Sequence, residues 1–347
     1  MSGDKPKLDV VKGGTGTPVS VLWGASVTLN DLGITSINRA VAVIDDSLRE
    51  HSNIKHIPAA HALFIPGAES CKTRQSKAAL EDQLLALVDH QSLIVAVGGG
   101  ALLDLVGFTA STLLRGVRLI YVPTTLLAMV DACYGGKNGV NTPLGKNLIG
   151  TLYDPSHIWC DQRWLQSLSA DQLKQGLAEM IKHACIGRVD HLLRLSTSSC
   201  NDLALIRESL QVKFRVVQTS LQHPNHRHLL NLGHTVAHAL EGYSAGAITH
   251  GSAVAIGLVV ESAIAKRRGW ISTPQFEQLV QLIGSCGLPI VAPCSAHDIV
   301  SWALKDKKNS DNKIFCSLPK GAWGQQSLEL YTGPFAVSTA EITASWM

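Results

Sequence analysis

The sequence predicts an α/β N-terminal parallel-sheet domain followed by a mainly α-helical C-terminal domain. Three observations predict this. The chain has 347 residues, too many for one small core. Its first half alternates short β-rich runs with helix-like segments, which implies a mostly parallel sheet covered by helices on both faces. From about Ser169 onward, helical periodicity dominates.

Candidate strands are Val19–Trp23, Ala42–Asp46, His61–Ile65, Leu93–Val97, Leu119–Val122 and Ile158–Asp161. Leu93–Val97 is continuously apolar, as a strand buried on both faces should be. Ligands of such sheets bind beyond the carboxyl ends of the strands. In the second half, Ser169-Ala170-Asp171-Gln172 offers a capped helix start. Leu203–Ser220 and Gly251–Arg268 are further helices, and Gly269 is a C-terminal stop for the latter. Gly251–Ala265 is the most apolar stretch; it holds Glu261 and is short, so it reads as a buried helix. Pro289 and Pro293 break the helical pattern. The domain boundary is expected near Pro155, giving domains 1–155 and 156–347.

Composition narrows the function. Hydrophobic residues make up 46% of the chain and charged residues 16%, which excludes a disordered protein. The net charge of +3 comes without any long block of like charge. That leaves little field for nucleic acid or an anionic membrane, but suits a small anionic substrate held by a few local cations. The N-terminal residues have no apolar core, so no secretory signal is expected. Eight cysteines without a C-x-x-C pair read as reduced, mostly buried thiols in the cytoplasm.

Three segments carry chemistry. In Val97-Gly98-Gly99-Gly100-Ala101-Leu102-Leu103-Asp104, glycines follow an apolar strand and open a helix. A backbone without Cβ atoms can approach a pyrophosphate there, and the helix N-terminus offers N–H groups. A plain tight strand–helix turn is the alternative. Asp45, at a strand end, can accept from ribose hydroxyls. Gly67-Ala68-Glu69-Ser70-Cys71-Lys72 adds an acid and a cation, or is simply a solvated loop.

The second segment is Pro123-Thr124-Thr125, after which Asp131 sits among apolar neighbours; a buried acid there would need a partner. Two Gly-rich, lysine-bearing loops follow, Gly135–Asn141 with Lys137 and Leu144–Asn147 with Lys146. Both could hold phosphate through N–H groups and ammonium charge, or be exposed turns.

The third is metal-like. His234 and His238 lie four residues apart, on one helix face; His250 follows in a loop, and Glu179 lies on a separate helix. Three His and carboxylate ligands with open positions build a catalytic zinc site. The H-E-x-x-H pattern is absent, since Thr235 takes the Glu place. His223, His226 and His228 read as surface residues.

Together these segments resemble the 3-dehydroquinate synthase family of sugar-phosphate cyclases. The resemblance runs from about Asp45 to Pro319, through the glycine loop, Arg115-Gly116-Val117-Arg118, VPTTLLAMVDACYGGKNGVNTPLGKN, GLAEMIKH, LLNLGHTVAHALE, HGSAVAIG and DKK, in that order. It implies a Rossmann-like NAD domain, a helical metal-binding domain and an active site in the cleft between them. By this resemblance Asp45, Glu69, Lys72, Gly99, Gly100, Asp104, Thr124 and Thr125 contact NAD. Lys137 and Lys146 serve cofactor and substrate. Glu179, His234 and His250 match zinc ligands, with cobalt as an alternative metal, and His238 matches a substrate-site histidine. Asp131, Lys137, Asn147, Lys182, Lys213, Arg227, Asn231 and Lys307 match polar groups around the substrate. Arg115 resembles an arginine that reaches a neighbouring subunit, which implies a homodimer.

The implied substrate is a seven-carbon keto-sugar acid phosphate. NAD oxidises a hydroxyl, phosphate leaves by elimination, NADH returns the hydride, and the ring closes by aldol addition. The alternatives are another sugar-phosphate cyclase, a metal-dependent alcohol dehydrogenase of glycerol dehydrogenase type, or a degenerate NAD-binding scaffold without activity. The sequence departs from the family at Leu103 (usually Gly), at Asn138 (usually Thr), in Leu165–Ser169, and in Gln222–Asn225, where acids are usual.

Overall fold

A computed structural model describes residues 6–197, 199–304, 313–321, 323 and 333–346. The chain folds as two compact units, Met1–Leu168 and Ser169–Met347. The division lies later than Pro155. The reason is the strand at His157–Cys160, which pairs with two strands of the first unit and so belongs to its sheet.

Unit 1 is built on β1 (Lys7–Lys12), β2 (Pro18–Trp23), β3 (Ala40–Asp45), β4 (His61–Ile65), β5 (Leu93–Gly98) and β6 (Arg118–Pro123). The hairpin β7 (Lys137–Thr142) and β8 (Gly145–Leu152) and then β9 (His157–Cys160) follow. Helices α1 (Arg74–Leu85) and α2 (Gly100–Thr112) fall among them. The seven-stranded sheet has the order β1-β2-β9-β6-β5-β3-β4. All neighbours are parallel except β1, which pairs antiparallel with β2. Every residue of β5 is buried, as its unbroken apolar run requires. From β3 the chain moves outward to β4, then crosses back to β5 on the other side. The carboxyl ends of β3 and β5 therefore flank a topological switch point, where open α/β sheets bind ligands.

The two lysine-bearing loops expected at Gly135–Asn141 and Leu144–Asn147 are mainly the two strands of the β7–β8 hairpin. Their glycines and asparagines hide the strand pattern, because this ribbon pairs with itself and has no apolar alternation to display. Asn138 locks the hairpin base. Its amide donates to the carbonyls of Gly136 and Tyr153, and its carbonyl accepts from the Tyr121 hydroxyl. Leu103 is wholly buried, so the side chain that replaces glycine there joins the core.

Unit 2 contains α3 (Ala170–Gly187), α4 (Val189–Arg194), α5 (Leu203–Ser220), α6 (His234–Tyr243), α7 (His250–Arg267), α8 (Thr273–Ser285) and α9 (Ala296–Ala303). A small antiparallel pair, β10 (Lys313–Cys316) with β11 (Phe335–Ser338), and α10 (Thr339–Ser345) complete it. Ser169 opens α3 with a full capping box. The Ser169 Oγ accepts from the Gln172 backbone N–H, and the Gln172 Oε1 accepts from the Ser169 backbone N–H. α7 is buried from Gly251 to Ala265, Ser252 excepted, and packs against α3, α6 and α8. Gly269 ends it with φ +70°, the left-handed stop that glycine provides. Among the described residues no helix is long and apolar enough to cross a membrane. All eight cysteines are free thiols, six of them buried.

Candidate functional site

In unit 1 the nucleotide-type groups gather at the switch point. Asp45 ends β3, where its carboxylate accepts from the Ser47 N–H and hydroxyl at 3.0 and 2.8 Å. Gly99 is the N-cap of α2 and Gly100 its first residue, so the first-turn N–H groups open at the end of β5. Thr124 is buried and its N–H bonds the Gly98 carbonyl at 3.0 Å; the Thr125 hydroxyl accepts from the Ala128 N–H at 3.1 Å.

Lys72 organises this region. It is buried, and its ammonium donates to Asp104 Oδ2 and to Asn147 Oδ1, each at 2.6 Å. Glu69 Oε1 lies 3.7 Å from the same ammonium and accepts from the Asn141 amide at 2.8 Å. One cation thus ties the loop after β4, helix α2 and the β7–β8 hairpin together. Asn147 takes a left-handed φ of +54° in the process. Lys137 and Lys146 stay exposed on the hairpin. Asp131 lies in a single π-turn, Ala128–Ala132, a distortion that often marks functional sites. Arg115 and the preceding Leu114 are both left-handed, with φ +66° and +49°.

In unit 2 the metal-type residues converge. Glu179 and Lys182 lie one turn apart on α3, fully buried and ion-paired to each other. His234 is the first residue of α6 and His250 the first of α7. Both reach the same carboxylate oxygen: Glu179 Oε1 lies 3.3 Å from His234 Nε2 and 3.1 Å from His250 Nε2. The meeting of α7 with α3 depends on Gly251. A Cβ there would fall 2.5 Å from the Gln175 Cα, and the Gly251 N–H donates to the Gln175 side chain at 2.6 Å. Only a bare backbone lets the start of α7 lie this close to α3.

These atoms fit a divalent ion. With metal–ligand bonds of about 2.0–2.1 Å, ligand atoms of a tetrahedral site lie roughly 3.3 Å apart. The observed 3.1 and 3.3 Å separations match that edge, and the three ligand atoms all lie within 4.8 Å of one another. His234 Nδ1 faces the Leu232 carbonyl at 3.1 Å and His250 Nδ1 faces Glu241 at 3.5 Å. Acceptors on Nδ1 place each ring proton there and turn the Nε2 lone pair inward. Two lone pairs then point at a carboxylate oxygen, and only a cation or a proton between them makes that arrangement favourable. Without an ion, a proton on Nε2 of His250 fills that place. Burial works against charge on both groups, yet Lys182 and the imidazoles hold Glu179 well below the ordinary carboxylate range. Hydrogen bonds and charge from Glu179 and Glu241 overcome burial and raise His250 to about 10.

His238 lies one turn after His234 and is exposed, its ring edge-on to that of His234 at 5.6 Å. It is not in the triad. Lys213 is buried on α5, which packs on α3. Arg227 and Asn231 lie in the 3-10 turn before α6. Lys307 lies outside the described residues. His226 is buried rather than on the surface; it lies within that same 3-10 segment, with its ring 5.1 Å from His223. Sequence reasoning missed Glu241 and Gln175, which orient the site without touching a ligand position. Glu241 had a readable signal, since seven residues separate it from His234 on one helix face. A second cluster, Asp190, His191 and Glu208, also has metal-type spacing. There Arg188 and Arg194 pair with both carboxylates, so the negative charge is already balanced.

Comparison with known proteins bears on both units. The N-terminal 3-dehydroquinate synthase family model matches residues 62–175 and the C-terminal model residues 176–309. The pentafunctional AROM polypeptide of Kluyveromyces lactis is 34% identical over 303 residues. That match takes in 76% of this chain and 19% of the polypeptide, so the chain spans about a fifth of that relative. A 2-deoxy-scyllo-inosose synthase solved with carbaglucose-6-phosphate, NAD+ and Co2+ superposes with a TM-score of 0.83 at 24% identity, covering 98% of this chain and 99% of that one. The 2-epi-5-epi-valiolone synthase of Streptomyces hygroscopicus, solved with NAD+ and Zn2+, gives 0.78 at 25% identity and 94% coverage of both chains. With the two halves of one family matched end to end over a parallel-sheet unit and a helical unit, the chain belongs to the 3-dehydroquinate synthase family.

Proposed function

We propose that the chain converts 3-deoxy-D-arabino-heptulosonate 7-phosphate to 3-dehydroquinate and phosphate, using NAD and a divalent metal, with zinc as the metal. The observation that carries this reading is the convergence of Glu179, His234 and His250 on one ion-sized position. When bound, NAD takes a hydride and returns it, while the metal ion supplies positive charge beside the reacting oxygens.

The chain's own residues do the rest. Asp45, Glu69, Lys72, Gly99, Gly100, Asp104, Thr124 and Thr125 seat the dinucleotide at the switch point, the first-turn N–H groups of α2 facing its pyrophosphate. Glu179, His234 and His250 hold the metal. Lys137, Asn147 and His238 bind the phosphate, whose own oxygen accepts the proton as the ester leaves. Lys213 and Arg227 bind the carboxylate, Arg227 in a two-pronged grip. Asp131 and Lys182 position hydroxyls, Lys146 serves the cofactor, and Asn231 and Lys307 are further polar groups around the substrate. Arg115, presented by two consecutive left-handed residues, reaches the site of a second copy in a homodimer. Eight free thiols support a reducing compartment, the cytoplasm.

The test is direct. Purified protein with the heptulosonate phosphate, NAD and zinc should release inorganic phosphate and 3-dehydroquinate in equal amounts, without accumulating NADH. Net NADH would mean a dehydrogenase. Phosphate release only from a different sugar phosphate would mean another cyclase.

A further inference from the structure

Helix α6 begins without a cap of its own. Its N-cap is Gly233, left-handed at φ +79° and without a side chain. The first N–H groups of a helix have no partner within it and need acceptors. Here the acceptor comes from another helix: Glu261 of α7, wholly buried, accepts from three of them. Its Oε2 takes the Gly233 N–H at 2.7 Å. Its Oε1 takes the Thr235 and Val236 N–H groups at 3.1 and 3.3 Å. His234 sits inside this clamp, bracketed by the residues Glu261 holds.

Packing makes the clamp rigid. A Cβ on Gly257 would fall 1.9 Å from the Gly233 carbonyl oxygen, and a Cβ on Gly233 would fall 2.9 Å from the Leu258 nitrogen. The first turn of α6 therefore rests on the backbone of α7. The same α7 carries His250 at its start, about three turns before Glu261. One helix thus sets two ligands, His250 directly and His234 through Glu261.

We infer that Glu261 is a positioning residue of the metal site, fixing His234 by capping the first turn of α6. This rests on the reading of Glu179, His234 and His250 as the metal triad. Both oxygens act as acceptors, so Glu261→Gln keeps the volume but turns an NH2 group toward an N–H. Zinc affinity of the apoprotein, measured by competition with a chromogenic chelator, should fall about 10–100-fold, the range for outer partners of metal ligands. The visible spectrum of the cobalt-loaded variant should change while its far-ultraviolet circular dichroism stays native. A folded variant with affinity within about twofold of the parent and an unchanged cobalt spectrum would make Glu261 only a helix brace and overturn the inference. If Glu261→Gln does not fold, hydrogen exchange in the parent protein decides. By reciprocity, zinc should slow exchange at the Gly233, Thr235 and Val236 amides, and equal rates with and without zinc would overturn the inference. A parent protein that binds no zinc would instead refute the triad itself.

Discussion

His234 and His238 are the same residue type on the same helix face, yet their surroundings separate them. His234 has its Nδ1 against a carbonyl and its Nε2 3.3 Å from Glu179, whereas His238 is exposed outside the triad. His234→Ala should therefore weaken zinc binding by more than about 100-fold, beyond the loss expected for an outer partner, and abolish turnover. His238→Ala should retain zinc and lose turnover. Metal analysis of both purified variants checks this, and loss of metal from the His238 variant alone would reverse the assignment. Lys72 makes a similar point in unit 1. Lys72→Met removes the ammonium that Asp104 and Asn147 share. Asp104 remains about a fifth exposed, so the cost should lie below the roughly 3–5 kcal/mol of a fully buried broken pair, at about 1–3 kcal/mol. Urea unfolding reads that loss, and NAD titration should show affinity about tenfold weaker. An unchanged midpoint and affinity would remove Lys72 from the nucleotide site. The residue types of the Glu179, His234 and His250 cluster were legible in the sequence. The partners of Lys72 were not, because Asp104 and Asn147 lie 32 and 75 residues away along the chain.

Elements with strong local chemistry formed where their sequence predicts them. Ser169 and Gln172 specify the start of α3 through side chains three residues apart, and Leu93–Val97 forms the buried β5 because nothing polar interrupts it. The β7–β8 hairpin was not legible, since its Gly, Asn and Lys residues show no apolar alternation. α10 shows how an element is held at the edge of a unit. Glu341 closes a capping box with Ser338 and bonds Arg268 beyond the end of α7 at 2.8 Å. The Arg268 hydrogen bond, with those from Ser338, holds the Glu341 carboxyl down at about 2, against an ordinary value of 4.5. A depressed carboxylate contributes stability that is present above 4.5 and lost as pH falls through 2. Acid titration should therefore loosen α10 across that window, read as faster amide exchange in Thr339–Ser345. The Arg268→Gln variant should show a weaker pH dependence there, and identical profiles would exclude the pair as the cause.

At the scale of the molecule, the chain is two compact units, with the Glu179, His234 and His250 cluster in the second and the proposed dinucleotide site in the first. Zinc at 100 times its dissociation constant should stabilise the second unit by about 2.7 kcal/mol. Calorimetry should show its melting rise with zinc and fall back with a chelator, and a melting profile indifferent to both would mean no folded-state metal site. The sequence by itself determined the fold class, most strands of the sheet, the capped helices and the residue types of the metal-type cluster, because propensity, capping and apolar patterning act over a few residues. Only the tertiary structure decided that β9 joins the first unit, that one oxygen of Glu179 meets two histidines, and that Glu261 caps a helix other than its own. Those outcomes depend on which backbones can approach closely, at Gly251 against α3 and at Gly233 against Gly257. Pairings between residues far apart in sequence leave no local period to read.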